Sequence, residues 1–116
     1  MSVFRDFELK ALRLLLPPAH ADLAERFSGS VKYEYTGVGY FLTVRDPTLP
    51  AERSVYDEPW VEGTSGPVQC HFVVFVERHE LTLECYTIVD DMPEDFRDQV
   101  VRISTPPAYI GPRDAT

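Results

Sequence analysis

Four side chains that could bind a metal or act as nucleophiles fall close together: Cys70, His71, His79 and Cys85. A metal site needs several such ligands converging on one point. The stretch Gln69 to Val89 alternates with a period of two, the pattern of a β-hairpin, and that period sends neighbouring side chains to opposite faces. With Arg78-His79 as the turn, Val76 faces Leu81, Val74 faces Leu83, Phe72 faces Cys85 and Cys70 faces Thr87 on one apolar face. The other face pairs Glu77 with Glu80, Phe75 with Thr82, Val73 with Glu84 and His71 with Tyr86. The cysteines thus turn inward and the histidines do not. Neither a CxxC nor an HxxxH spacing occurs. No metal and no cofactor is expected, and the two cysteines, diagonal in this register, are not expected to form a disulfide.

Nucleophilic catalysis needs a nucleophile held against a base. The sequence has no GxSxG elbow, and neither cysteine has cationic neighbours in the chain. Among the histidines, His20 falls in a helical corner and His79 at a hairpin tip. His71, sharing a face with Tyr86, is the one with a titrating role to consider. Gly37-Val38-Gly39 is too short for a phosphate loop and leads into a strand instead of a helix. The expectation is a binding protein and not an enzyme. An alternative is a small-ligand-binding or enzymatic α+β domain with a pocket between helices and sheet, using His71, Tyr86 and a nearby carboxylate.

Carboxylates beside aromatics carry more information. Trp60 lies among Asp57, Glu58 and Glu62, and aromatic anchors ringed by charge suit protein interfaces. The plainer alternative is that Trp60 folds under its loop as part of a satellite core. Glu77, Glu80 and Glu84 form a possible carboxylate row on the hairpin, continued towards Asp90 and Asp91. Glu77 opposite Glu80 is mildly repulsive, so the row is a candidate to receive a cation, or simply a solvated hairpin tip. Asp57, Glu58, Trp60, Glu62, Glu77, Glu80, Glu84, Tyr86, Asp90 and Asp91 are the candidate partner contacts.

The elements that must position these residues follow from the same patterning. Apolar residues from Val3 to Leu16 recur at helical spacing, with Ser2 a plausible N-cap and Asp6 and Glu8 near the positive helix end. Pro17-Pro18 ends this helix, and a second runs from Pro18 or Ala19 to Ser28-Gly29. Val31, Tyr33 and Tyr35 alternate as a strand, and Gly37 to Gly39 turns the chain into another over Tyr40–Val44. Arg53 to Tyr56 is a possible third strand, whereas Pro59 to Pro67 predicts an irregular loop. Pro93 to Ile103 predicts a turn with a short helix, or an edge segment. The whole is an α+β fold: an N-terminal helical hairpin packed on a mainly antiparallel sheet of about 4–5 strands. Residues 1–104 form one domain, and the proline-containing stretch 105–116 is expected to be a flexible tail.

The 116-residue chain suits one core. Its net charge of −8 is uneven. Residues 1–45 carry +1 and residues 46–116 carry −9, with no lysine after Lys32. That field disfavours nucleic acid and anionic membrane and would steer a basic protein partner, although acidity also serves solubility. No secretory apolar region and no membrane-length apolar run occurs, so a cytoplasmic location is expected.

A Leu-rich opening helix precedes Glu34-Tyr35-Thr36-Gly37-Val38-Gly39-Tyr40-Phe41, Phe72-Val73-Val74-Phe75-Val76-Glu77 and Leu83-Glu84-Cys85-Tyr86-Thr87. In this order, over roughly residues 5–95, the chain resembles immunity proteins of bacterial polymorphic toxin systems, including contact-dependent growth inhibition. Arg78-His79 and Cys85 stand where that pattern carries glycine. The resemblance implies a protein that binds the C-terminal toxin domain of its system, often a basic nuclease, and covers its active site. It implies no catalytic residues.

Overall fold

Prolines set the first corner. The computed structural model describes residues 2–88 and 91–106, and helix α1 runs Asp6–Leu15. Leu16 is extended before Pro17-Pro18, and helix α2 runs Pro18–Arg26 with a proline in its first turn, where its missing N–H costs nothing. Ser2 is not the cap expected of it. Its hydroxyl donates to the Ala24 carbonyl and accepts from the Phe4 N–H, tying the entry strand to α2. Arg5 takes the cap position, and its N–H donates to the Glu8 carboxylate at 2.7 Å. Among the described residues, no helix is long and apolar enough to cross a membrane.

The rest is an antiparallel sheet of seven strands, not four or five: β1 Lys32–Tyr35, β2 Gly39–Arg45, β3 Ser54–Tyr56, β4 Glu62–Ser65, β5 Val68–Glu77, β6 Glu80–Thr87 and β7 Arg102–Ser104. The order is β1-β2-β6-β5-β4-β7, and β3 shares with β4 the outer edge of the long strand β5. The extra strands are short ones. Glu62–Ser65 and Arg102–Ser104 lack alternation strong enough to announce them, and they pair because β5 and then β4 offer unfilled edges. The turn and edge alternatives for residues 93–103 both occur, as a 3-10 turn at Phe96–Asp98 followed by β7. Of the expected tail, residues 107–116 lie outside the described residues, as does Asp90.

The hairpin register is the one the alternation predicts, Cys70 opposite Thr87 through Glu77 opposite Glu80. Arg78 and His79 both adopt positive φ, 54° and 62°, which is the two-residue turn whose twist fits a hairpin. The 46–51 loop holds them there: the Arg78 and His79 N–H groups donate to the Ala51 and Pro50 carbonyls, and Asp46 N–H to the His79 carbonyl. Gly39 is needed by proximity, since a Cβ there would meet the Cys85 carbonyl oxygen at 2.1 Å.

One sheet face is dry. Tyr40, Leu42, Val44, Phe72, Val74, Val76, Leu81, Leu83 and both cysteines pack under Phe7, Ala11, Leu12 and Leu15 of α1. The cysteines are free thiols, and burial holds the Cys85 thiol well above its ordinary pKa. A carboxylate also lies within this face. Glu8, in the first turn of α1 as expected, is fully buried and takes two hydrogen bonds from Arg97, 2.8 and 2.9 Å, and one from the Tyr40 hydroxyl, 2.5 Å.

Candidate functional site

Among the described residues no helix packs on the opposite face, and Trp60, Glu62, Glu77, Glu80, Glu84 and Tyr86 of the candidate contacts lie there. Between β3 and β4 the chain bulges: Tyr56 pairs with Val74 and Glu62 with His71, so residues 57–61 stand against Phe72 and Val73 alone. Alternation continues through the bulge. Val61 goes down into the core, where its carbonyl accepts from the Phe72 N–H, while Trp60 goes up onto the open face. There the indole stacks on the His71 ring, centroids 3.5 Å apart and planes at 17°. Glu62 fixes it, accepting from Trp60 Nε1 at 2.7 Å and from Gln69 Nε2 at 2.8 Å. Trp60 is therefore neither a protruding anchor nor a piece of satellite core; it roofs a histidine.

That histidine is 4% exposed. Its Nδ1 shares a hydrogen bond with the Tyr86 hydroxyl, and its Nε2 is buried with no partner. Burial lowers the His71 pKa, opposed by the negative charges of Glu62 and Asp57, so the ring is neutral at pH 7. His71 and Tyr86 project from the face away from the helices. The expected pocket between helices and sheet cannot use them, because that space is filled by Phe72, Leu83 and the α1 side chains. Among the described residues, no three His, Cys, Asp or Glu side chains are grouped to hold a metal.

The hairpin row is broken by the chain's own cations. Arg53 pairs with Glu77, and Arg45 approaches Glu80 at 3.6 Å. The repulsion across the Glu77–Glu80 pair is relieved from within, and these two carboxylates do not wait for an outside cation. Glu84 differs. It is half-buried, its cross-strand neighbours are Phe41 and Val73, and it has no hydrogen bond or ion pair among the described residues. Burial raises its pKa. Beside it an open groove of about 210 Å³ is lined by Lys32, Glu34, Phe41, Thr43 and Thr82.

Position divides the remaining candidates. Asp57 and Glu58 are exposed on the bulge beside Trp60. Asp91 is exposed at the opposite end of β6 from Glu77 and Glu80, roughly 20 Å away by strand rise. The described members of the set are thus spread out and do not form a single cluster. Two partners escaped the sequence reading, Arg45 and Arg53. Period two placed Arg45 on the same face as Glu80, which was a usable signal; the 46–51 loop that returns Arg53 to Glu77 gave none.

No protein-family model, no curated protein and no solved structure matches the chain.

Proposed function

We propose that the chain is an immunity-type protein that binds a basic protein, a cognate toxin domain of nuclease type, and occludes its active site or substrate surface. The observation that carries this reading is the open sheet face. It presents half-buried aromatic and apolar side chains, Phe41, Phe75, Trp60 and Tyr86, among carboxylates, in a chain of net charge −8. A face of this make-up combines an apolar centre with a polar rim and an electrostatic bias for a cationic partner. Rigid strands present it, so little ordering cost accompanies binding.

The test is to mix the protein with the product of the adjacent upstream gene and look for a complex by native mass spectrometry. A complex at low micromolar concentration, with association that slows as salt is added, is the expected result. No complex under those conditions overturns the reading. The buried Nε2 of His71, without a hydrogen-bond partner among the described residues, favours a second reading, a small-ligand site at His71 on the same face. Loss of ligand-dependent stabilisation in His71→Asn, with toxin protection unchanged, would mark it.

A further inference from the structure

The three glutamates of the β5–β6 hairpin that face outward are not equivalent. Glu77 and Glu80 have arginine partners from their own chain; Glu84 has none among the described residues. The register explains the difference. Glu84 sits on β6, which is flanked by β2 and β5, so its lateral neighbours are Phe41 and Val73. Its neighbours along the same face of β6 are Thr82 and Tyr86, and the diagonal positions are Thr43, His71 and Phe75. None of these lateral, along-strand or diagonal positions is an arginine or lysine. A carboxylate among apolar side chains, half removed from water, keeps its charge at a cost unless a cation arrives.

The groove adjoins this carboxylate, since its floor includes Phe41 and Thr82, the lateral and the along-strand neighbours of Glu84. A volume near 210 Å³ equals about seven waters, enough for one long side chain with its residual hydration. Phe41 offers an apolar surface for a methylene stem, and Lys32, Glu34 and Thr43 complete the lining. An aliphatic stem ended by a cation matches both parts of the site. We propose that Glu84 is the seat for one arginine or lysine side chain of the protein partner, its stem lying over Phe41 and Thr82. This rests on the reading of the chain as a binder of a basic protein and names the contact within it. Displacing groove water as the partner docks would strengthen the pair, which makes Glu84 the centre of the interface and Glu77 and Glu80 part of its rim.

The probe is a hexa-arginine peptide, added to the full ¹⁵N-labelled chain at low salt, with hexa-glutamine as the uncharged control. The expected result is saturable amide shifts at Phe41, Thr82 and Glu84, weakened about fivefold by Glu84→Gln and unchanged by Glu94→Gln, which removes the same charge from the exposed turn before the 3-10 segment. Equal weakening by both variants would mean diffuse attraction to an acidic chain and would overturn the seat. The upstream gene product separates this proposal from the one it rests on. If that protein binds wild type and Glu84→Gln alike, the seat is wrong and the function stands. If it binds neither while hexa-arginine still depends on Glu84, the seat stands and the functional reading falls.

Discussion

Two glutamates on opposite faces of one sheet have opposite surroundings. Glu8, on the helix side, is fully buried and accepts from four donors: the Arg5 N–H, the Tyr40 hydroxyl and two nitrogens of Arg97. Glu84, on the open side, is only half-buried and accepts from none of the described residues. Burial works to lower the Arg97 pKa, but the hydrogen bonds and charge of Glu8 prevail and raise it. The Tyr40 hydroxyl, buried beside the same carboxylate, is pushed far above its ordinary pKa and remains a donor. A satisfied buried carboxylate joins α1, β2 and the 3-10 segment into one body. Glu84, half-exposed and without such partners among the described residues, ties no elements together.

The sharpest way to challenge this contrast is to remove the partner. Arg97→Ala leaves Glu8 buried without its countercharge, and a broken buried pair typically costs about 3–5 kcal/mol. That is a large part of the roughly 5–15 kcal/mol that holds a domain together. Urea unfolding followed by tryptophan fluorescence measures it. A loss under about 1 kcal/mol would mean that Glu8 finds water or protonates freely, and that the two glutamates are not opposites.

Acid gives the next largest effect, on the open face. The folded-state pKa of His71 lies below the ordinary 6.5, so above pH 6.5 both folded and unfolded chains hold it neutral and it adds no pH dependence. As pH falls below 6.5 the unfolded chain takes up the proton first. Stability is then lost progressively until the folded pKa is reached, at up to about 1.4 kcal/mol per pH unit. Thermal unfolding at pH 7, 6 and 5 should show this fall, and His71→Asn should remove its share. A fall of equal slope in the variant would assign the acid sensitivity elsewhere.

How far the sequence foretold these arrangements depends on range. The hairpin was readable residue by residue, because period-two patterning is local and a one-residue slip would turn Cys70, Phe72 and Val74 outward. The Trp60 bulge was not, because it depends on β3 and β4 meeting the same edge of β5 some fifteen residues downstream. Glu8 carried an unused signal. It stands four residues from Phe4 and from Leu12, within the apolar stripe of α1, where a charge implies a buried partner. That the partner would be Arg97 could not be read, since it comes from the far end of the chain. Period two puts Glu77, Glu80 and Glu84 on one hairpin face, but which of them the chain's own arginines pair depended on strand β2 and the loop before β3.

The smallest effects test Glu84 itself, and their sign matters more than their size. A carboxyl whose folded pKa is raised binds its proton more readily folded than unfolded. Its charged form therefore weakens the fold above that pKa, and the penalty fades as pH drops through it towards the ordinary 4.5. Glu84→Gln removes the charge and should stabilise the chain at pH 7 by about 0.5 kcal/mol, while Glu77→Gln, which deprives Arg53 of its partner, should cost up to about 1 kcal/mol. Differential scanning calorimetry at pH 7 resolves the two directions. If both variants destabilise, Glu84 has a stabilising contact of its own and resembles Glu77. If Glu84→Gln alone stabilises and also weakens the hexa-arginine shifts, the charge at position 84 is one the fold would be better without, retained at a position where only binding gains from it.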